Sequence, residues 1–340
     1  VKKGEALLKL LYGGICGSDL GTYRGTFAYA SYPRIPGHEF SAQIVEIEEN
    51  DRGLKPGMIV TCNPYFNCQK CYSCERGLVN CCESNETMGA QRDGAFSEYI
   101  TMPIERIYDG MGLNPRQLAL IEPFCISYHG VSRADIKKGD KVLVIGAGTI
   151  GVLAAVAAKA KGGEVYIADI AEEKLQYAYK TFGLAGTIKN DSEESLKNSV
   201  SQITGEHHGF DVCIEAVGLP STFQNCIDAA AYGGRIVLIG VGKKNLDFNF
   251  TLIQKKELSI FGSRNALKAD FKELIELVKC GEIDLEKIVM NKGSADAAKR
   301  SEYELEEAAA AFEEFHQYGG SKLKVLIHFS DPSEITEERH

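Results

Sequence analysis

The sequence predicts an α/β protein of two lobes, a doubly wound parallel sheet and a barrel-like β lobe. Three observations carry that prediction. Short β-like runs broken by Gly and Pro fill roughly the first 120 residues, strands and helices alternate from Asp140 onward, and a glycine-rich turn joins the first strand and helix of that alternation.

The 340 residues are 44% hydrophobic and 25% charged, a globular balance that excludes collagen, low-complexity disorder and a disulfide mini-protein. With 47 acidic against 38 basic side chains the formal net charge is −9, which draws the chain toward neither phosphate backbones nor anionic membranes. No nucleic-acid partner is expected. The smoothest apolar run, 152–158, is far shorter than the ~18 residues a membrane-spanning helix needs, so no membrane association is expected either. No export signal opens the chain, and its 11 cysteines are an odd number, five of them packed into 68–82. A metal-binding protein of the reducing cytoplasm is the expectation. Residues 6–11 already read as a strand close behind Val1, so a preceding segment is expected.

In the first lobe the strands are predicted at 6–11, 42–47, 58–62 and 96–102. The alternation then runs through strand 141–145, helix 150–161, strand 164–168 and helix 171–181, and continues with strand 210–215, helix 221–231 and strands 235–239 and 258–261. Residues 271–279 and 304–316 have the spacing of amphipathic helices, 324–329 that of a closing strand, and the polar tail after Ser330 is expected to fray. The polar stretch 293–301 has no readable pattern.

Gly146-Ala147-Gly148-Thr149-Ile150-Gly151 falls directly between a predicted strand and a predicted helix, the context in which this pattern marks a dinucleotide site of the Rossmann type. Gly146 permits the tight turn, Gly148 the approach of a pyrophosphate, and Gly151 close packing of helix on strand. The positive end of the helix dipole faces the phosphates at Thr149 and Ile150. Asp169, about 20 residues on, ends the next strand; its carboxylate suits the ribose hydroxyls of NAD and repels a 2′-phosphate. No basic side chain follows before Lys174, so NAD is favoured over NADP.

Cys68, Cys71, Cys74 and Cys82 have the spacing of a four-thiolate zinc site, closed and therefore structural. The same donors suit an iron–sulfur cluster, but nothing else in the chain calls for electron transfer. Cys81 is a spare thiol, and Cys62, Cys125, Cys213, Cys226 and Cys280 lie in apolar runs as expected core residues.

Cys16-Gly17-Ser18-Asp19, Gly37-His38-Glu39 and Glu122-Pro123 are each weak alone. In this order, with the thiol loop and the glycine turn, they closely resemble the zinc-dependent medium-chain alcohol and polyol dehydrogenases, over about residues 7–329. The resemblance implies a GroES-like catalytic domain at 1–122 and 263–340, a Rossmann NAD-binding domain at 123–262, and an active site in the cleft between them. It implies Cys16, His38 and Glu39 as ligands of a second, open zinc, with Glu122 as a direct or water-bridged fourth. Such a zinc would supply Lewis acidity to a substrate hydroxyl, with hydride passing to NAD.

Ser18 matches the hydroxyl that takes the alcohol proton toward the cofactor ribose, though a local turn hydrogen bond would also explain it. Many relatives carry a His five residues after the ligand Cys; here Gly21 stands there, leaving water or nearby Tyr23 as the onward route. His129 does not match that role and reads as structural. Arg264, in Gly262-Ser263-Arg264-Asn265, matches an arginine beside the substrate in polyol dehydrogenases. It would bind a carboxylate bidentately or hydrogen-bond hydroxyls, unless it forms a buried ion pair. The wording of residues 32–39, 93–99, 121–124 and 262–266 most resembles the sugar-acid members, the L-galactonate and L-gulonate 5-dehydrogenases, which oxidise a secondary alcohol at C5 to a keto-acid. Sorbitol- and galactitol-1-phosphate-type polyol dehydrogenases share some of it. Family members are commonly homodimers or homotetramers, so the same is expected here.

Overall fold

A computed structural model of the chain describes residues 1–27, 31–205, 208–242, 244–290, 296, 299–319 and 321–333. It divides into two compact units, Val1–Glu122 with Leu267–His340, and Pro123–Ala266.

The first unit opens with β1 (Glu5–Ile15), α1 (Gly17–Tyr23), β2 (Glu39–Ile47) and β3 (Ile59–Cys62). A small hairpin of β4 (Tyr65–Phe66) and β5 (Glu86–Thr87) brackets the cysteine loop with its short helix α2 (Tyr72–Glu75). Then follow β6 (Tyr99–Pro103), β7 (Ile107–Asp109), α3 (Pro115–Ala119) and α4 (Ile121–Arg133), of which only the first two residues belong to this unit.

Strand β1 organises the sheet. Along one edge it pairs with β2 antiparallel; along the other, Glu5–Lys9 pair with β6, and Tyr12–Ile15 pair with the closing strand β15. Two register irregularities interrupt its pairing with β2, the second at Leu10/Tyr12 where the strand changes neighbours, as bulges do. Alternate residues Ala6, Leu8 and Leu10 face the core with Phe40, Ile44, Val60, Met102 and Ile107.

The second unit is the predicted alternation: β8 (Lys141–Ile145), α5 (Thr149–Ala160), β9 (Glu164–Asp169), α6 (Glu172–Phe182), β10 (Gly186–Lys189), α7 (Glu193–Thr204), β11 (Phe210–Glu215), α8 (Pro220–Ala229), β12 (Ala230–Leu238), α9 (Thr251–Lys256) and β13 (Ser259–Gly262). All six strands are parallel in the order β10-β9-β8-β11-β12-β13. The order reverses between β8 and β11, where an open parallel sheet leaves a crevice at its carboxyl ends. The chain then returns to the first unit through α10 (Lys268–Lys279), β14 (Glu302–Glu304), α11 (Ala308–Tyr318) and β15 (Val325–His328).

Several boundaries depart from the sequence pattern. Phe96 precedes β6 because Gly94 and Phe96 turn to pack on Pro36 and Gly37; a Cβ on Gly94 would lie 2.2 Å from the Pro36 carbonyl oxygen. Helix α8 runs straight into β12, so Ala230 and Ala231 are strand rather than helix. Glu304 is a strand residue and α11 begins only at Ala308, after a single 3₁₀ turn. Cys280 is exposed, not core: it caps α10 beyond that helix's buried stripe, whereas Cys62, Cys125, Cys213 and Cys226 are buried. The tail does not fray at once, since Gln43 Oε1 accepts the Ser333 N–H at 2.9 Å; residues 334–340 lie outside the described residues, as does most of 293–301.

Candidate metal and dinucleotide sites

The β1–α1 turn delivers Cys16 and the start of β2 delivers His38 and Glu39. One ligand atom from each lies within 4.8 Å of the others. Asp19 joins the two segments: one carboxylate oxygen accepts the Cys16 N–H at 2.9 Å, and the other accepts the Gly37 N–H at 3.3 Å and lies 3.7 Å from His38 Nδ1. Gly37 is required on two counts, a φ of +97° and the Phe96 ring lying 2.1 Å from where its Cβ would be.

The electrostatics suit a cation. Asp19, Glu39 and Glu122 are 2%, 1% and 3% exposed. Lys324, also buried, donates to Glu39 at 2.7 and 2.5 Å and to the Ile15 carbonyl at 3.2 Å. Burial opposes charge on His38 and Lys324, yet neighbouring anions hold both pKa values above their ordinary range, Asp19 and Cys16 acting on His38 and Glu39 on Lys324. Burial pushes Glu122 up to about 7, and raises Asp19 as well. A thiol, an imidazole and a carboxylate converging in surroundings this rich in acid form a donor set that fits zinc.

Glu122 stands outside the three-donor convergence, and its Oε1 accepts a hydrogen bond from the buried Tyr65 hydroxyl. Ser18 is half-buried on α1; its carbonyl, not its hydroxyl, receives the local bond from Thr22, at 3.1 Å. Tyr23 is engaged elsewhere, donating to Glu313 Oε2 at 2.8 Å, and His129 is buried on α4.

Cys68, Cys71, Cys74 and Cys82 also converge within 4.8 Å. Backbone N–H groups point at the sulfurs, as a thiolate site requires. Those of Glu83 and Cys74 bring Cys71 down to about 6, that of Lys70 leads the lowering of Cys68, and the Cys68 N–H reaches Cys82 Sγ at 3.2 Å. Burial outweighs such bonds at Cys82 and raises it. Cys81 is exposed and outside the cluster.

In the second unit Gly146 has a φ of +108°, and a Cβ on Gly151 would fall 1.8 Å from the Gly146 carbonyl oxygen. The fold itself demands both. Gly148, the N-cap of α5, is different: a Cβ there meets no atom within 4 Å, so the space kept clear beside this N-terminus fits an incoming pyrophosphate. Half-buried Thr149 and Ile150 open the helix. Asp169 Oδ2 accepts the Ala147 N–H at 2.6 Å and Oδ1 the Ala171 N–H at 2.9 Å, so the acid is tied to the glycine turn. Arg264 follows β13 and is exposed.

Three residues of these sites escape sequence reasoning as functional positions: Asp19, Lys324 and Lys174. Asp19 was visible within its motif. Lys324 is 285 positions from Glu39, and no local pattern marks it. Lys174 is close enough to Asp169 for the carboxylate to oppose the lowering that burial imposes on its pKa.

Residues 2–110 match the family model of the alcohol dehydrogenase GroES-like domain and residues 149–279 that of the zinc-binding dehydrogenases. L-galactonate-5-dehydrogenase of Escherichia coli K12 is 37% identical over 288 residues, 85% of this chain and 84% of that protein. Sorbitol dehydrogenase of Halalkalibacterium halodurans is 32% identical over 329 residues, 96% and 92% of the two chains. Among solved structures, an alcohol dehydrogenase from Escherichia coli CFT073 complexed with NADH superposes with a TM-score of 0.86 at 30% identity, covering 96% of this chain and 93% of its own.

Proposed function

Since the chain belongs to the zinc-binding alcohol dehydrogenase family, we propose that it oxidises a secondary alcohol of a sugar acid, C5 of an aldonate such as L-galactonate or L-gulonate, to the keto-acid with NAD as hydride acceptor. The observation that carries this reading is the convergence of Cys16, His38 and Glu39, three donors with Cys16 only half-buried, which suits a metal that keeps one position for substrate. When bound, zinc supplies Lewis acidity to the substrate hydroxyl and NAD accepts the hydride.

The chain's own residues do the rest. Asp19 orients His38 and fixes the Cys16 backbone, and Lys324 neutralises Glu39 so that one more carboxylate can be buried there. Ser18 Oγ would take the proton of the alcohol, and Gly21 offers no side chain to relay it onward. Asp169 would hold the ribose of NAD, and Gly148 with the N-terminus of α5 its pyrophosphate. Arg264 anchors the substrate carboxylate as a fork. Cys68, Cys71, Cys74 and Cys82 hold a structural zinc.

The L-galactonate-5-dehydrogenase relative favours an aldonate, and the sorbitol dehydrogenase relative keeps a polyol as the second reading. Initial NADH formation decides between them, measured with L-galactonate and L-gulonate against sorbitol, galactitol and galactitol 1-phosphate. Higher kcat/KM for an aldonate, lost in Arg264→Ala, is the expected result. Preference for a neutral or phosphorylated polyol overturns the sugar-acid assignment and leaves the reaction class standing.

A further inference from the structure

The thiol loop and the three-donor cluster are joined by one side chain. Tyr65 lies on β4, three residues before Cys68, which begins the four-thiol cluster, and its hydroxyl reaches across to Glu122. Both residues are buried, Tyr65 at 6% and Glu122 at 3% exposure.

The hairpin is tightly held on the thiol-loop side. Arg106, 3% exposed, donates to the Tyr65 carbonyl and to Asn67 Oδ1 at 3.0 Å, and its guanidinium lies 4.4 Å from the Phe66 ring centroid. Asn67 Nδ2 in turn points at Cys74 Sγ, 3.8 Å away. The Tyr65 N–H is held by Asn63 Oδ1 at 2.9 Å, and the hairpin closes as Tyr65 and Phe66 pair with Thr87 and Glu86 of β5. The Tyr65 backbone is thus fixed by contacts that end on the thiol cluster.

Glu122 has an alternative open to it. It is an acid beside His38 and Lys324, and a carboxylate free to swing toward a bound cation would complete a four-donor, closed site with no room for substrate. We propose that Tyr65 is a positioning residue whose phenol holds the Glu122 carboxyl outside the Cys16, His38 and Glu39 donors, keeping the fourth metal position open, and that the four-thiol loop keeps Tyr65 in place. This rests on the metal reading of that cluster. The competing arrangement, in which Glu122 is itself a ligand and Tyr65 merely orients it, makes opposite predictions.

The test uses the full-length protein with cobalt(II) in place of zinc, and takes the difference spectrum against Cys16→Ser to isolate the three-donor site. In Tyr65→Phe the ligand-field bands should change as a carboxylate replaces solvent, cobalt should leave more slowly to a chelator, and kcat should fall about 10- to 100-fold, the range seen for groups that orient metal ligands. KM for NAD should not move. Adding Glu122→Gln to Tyr65→Phe should restore the wild-type bands. An unchanged spectrum in Tyr65→Phe, with cobalt bound in the wild type, overturns the proposal alone; no Cys16-dependent cobalt in the wild type overturns the metal reading with it. Should Tyr65→Phe not fold, Glu122→Ala decides: bands matching the wild type support a carboxyl held off the metal, and altered bands show a ligand and overturn it.

Discussion

Gly148 and Gly151 belong to one turn and answer to different constraints. A Cβ at Gly151 would stand 1.8 Å from a backbone oxygen, while one at Gly148 would meet nothing within 4 Å. Gly151→Ala must therefore push α5 away from β8, at about 1–3 kcal/mol or more, and Tm should fall. Gly148→Ala should leave Tm in place and weaken NADH binding about tenfold or more, roughly 1.4 kcal/mol, because the methyl occupies the approach of the pyrophosphate. Calorimetry beside an NADH fluorescence titration separates the two; equal effects of both variants on Tm would count against the cradle. The glycine pattern was readable because every constraint on it is local. Lys324 was not, since its partner Glu39 lies in a strand 285 positions away, and a lysine near a chain end reads as surface until the fold buries it.

At the level of elements, legibility followed burial pattern. Strands β8 and β11 are built on short apolar cores, Val142–Ile145 and Val212–Ile214, and match the residues expected of them, 141–145 and 210–215. Helix α4 gives no such signal: residues 121–131 are buried all round except Ile126, Gly130 sits inside it, and Pro123 in its first turn looks like a boundary. Strand β10 is only four residues long, and α7 buries just Leu196, Val200 and Thr204, a stripe too thin to stand out among its polar neighbours. The thiol loop is the opposite case, where spacing alone identified a cluster whose secondary structure is nearly nil. Cys71→Ser should cut bound zinc from about two to about one per chain and lower Tm, measured by metal analysis and calorimetry on the same sample, since binding energy at such a site is folding energy. Retention of both zinc ions would remove Cys71 from the ligand set.

For the whole molecule, the sequence supplied the class of each unit and the order of the strands that carry the glycine turn. Geometry added what spacing alone could not: that three residues from two segments, 16 and 38–39, converge within 4.8 Å, and that Asp19 ties those segments together. Those ligands were legible only through resemblance, because Cys16 and His38 are 22 positions apart with no pattern joining them. Tyr65, whose contact with Glu122 spans 57 positions, had no signal in the sequence at all. Under the proposed function this convergence is a catalytic zinc site distinct from the thiol loop. It is tested most directly by counting zinc in the wild type and in Cys16→Ser while recording NADH formation and NADH binding on the same preparations. About two zinc ions per chain are expected in the wild type and about one in the variant, with turnover abolished and NADH still bound. Turnover retained by Cys16→Ser, or zinc confined to the thiol loop in an active wild type, would contradict it.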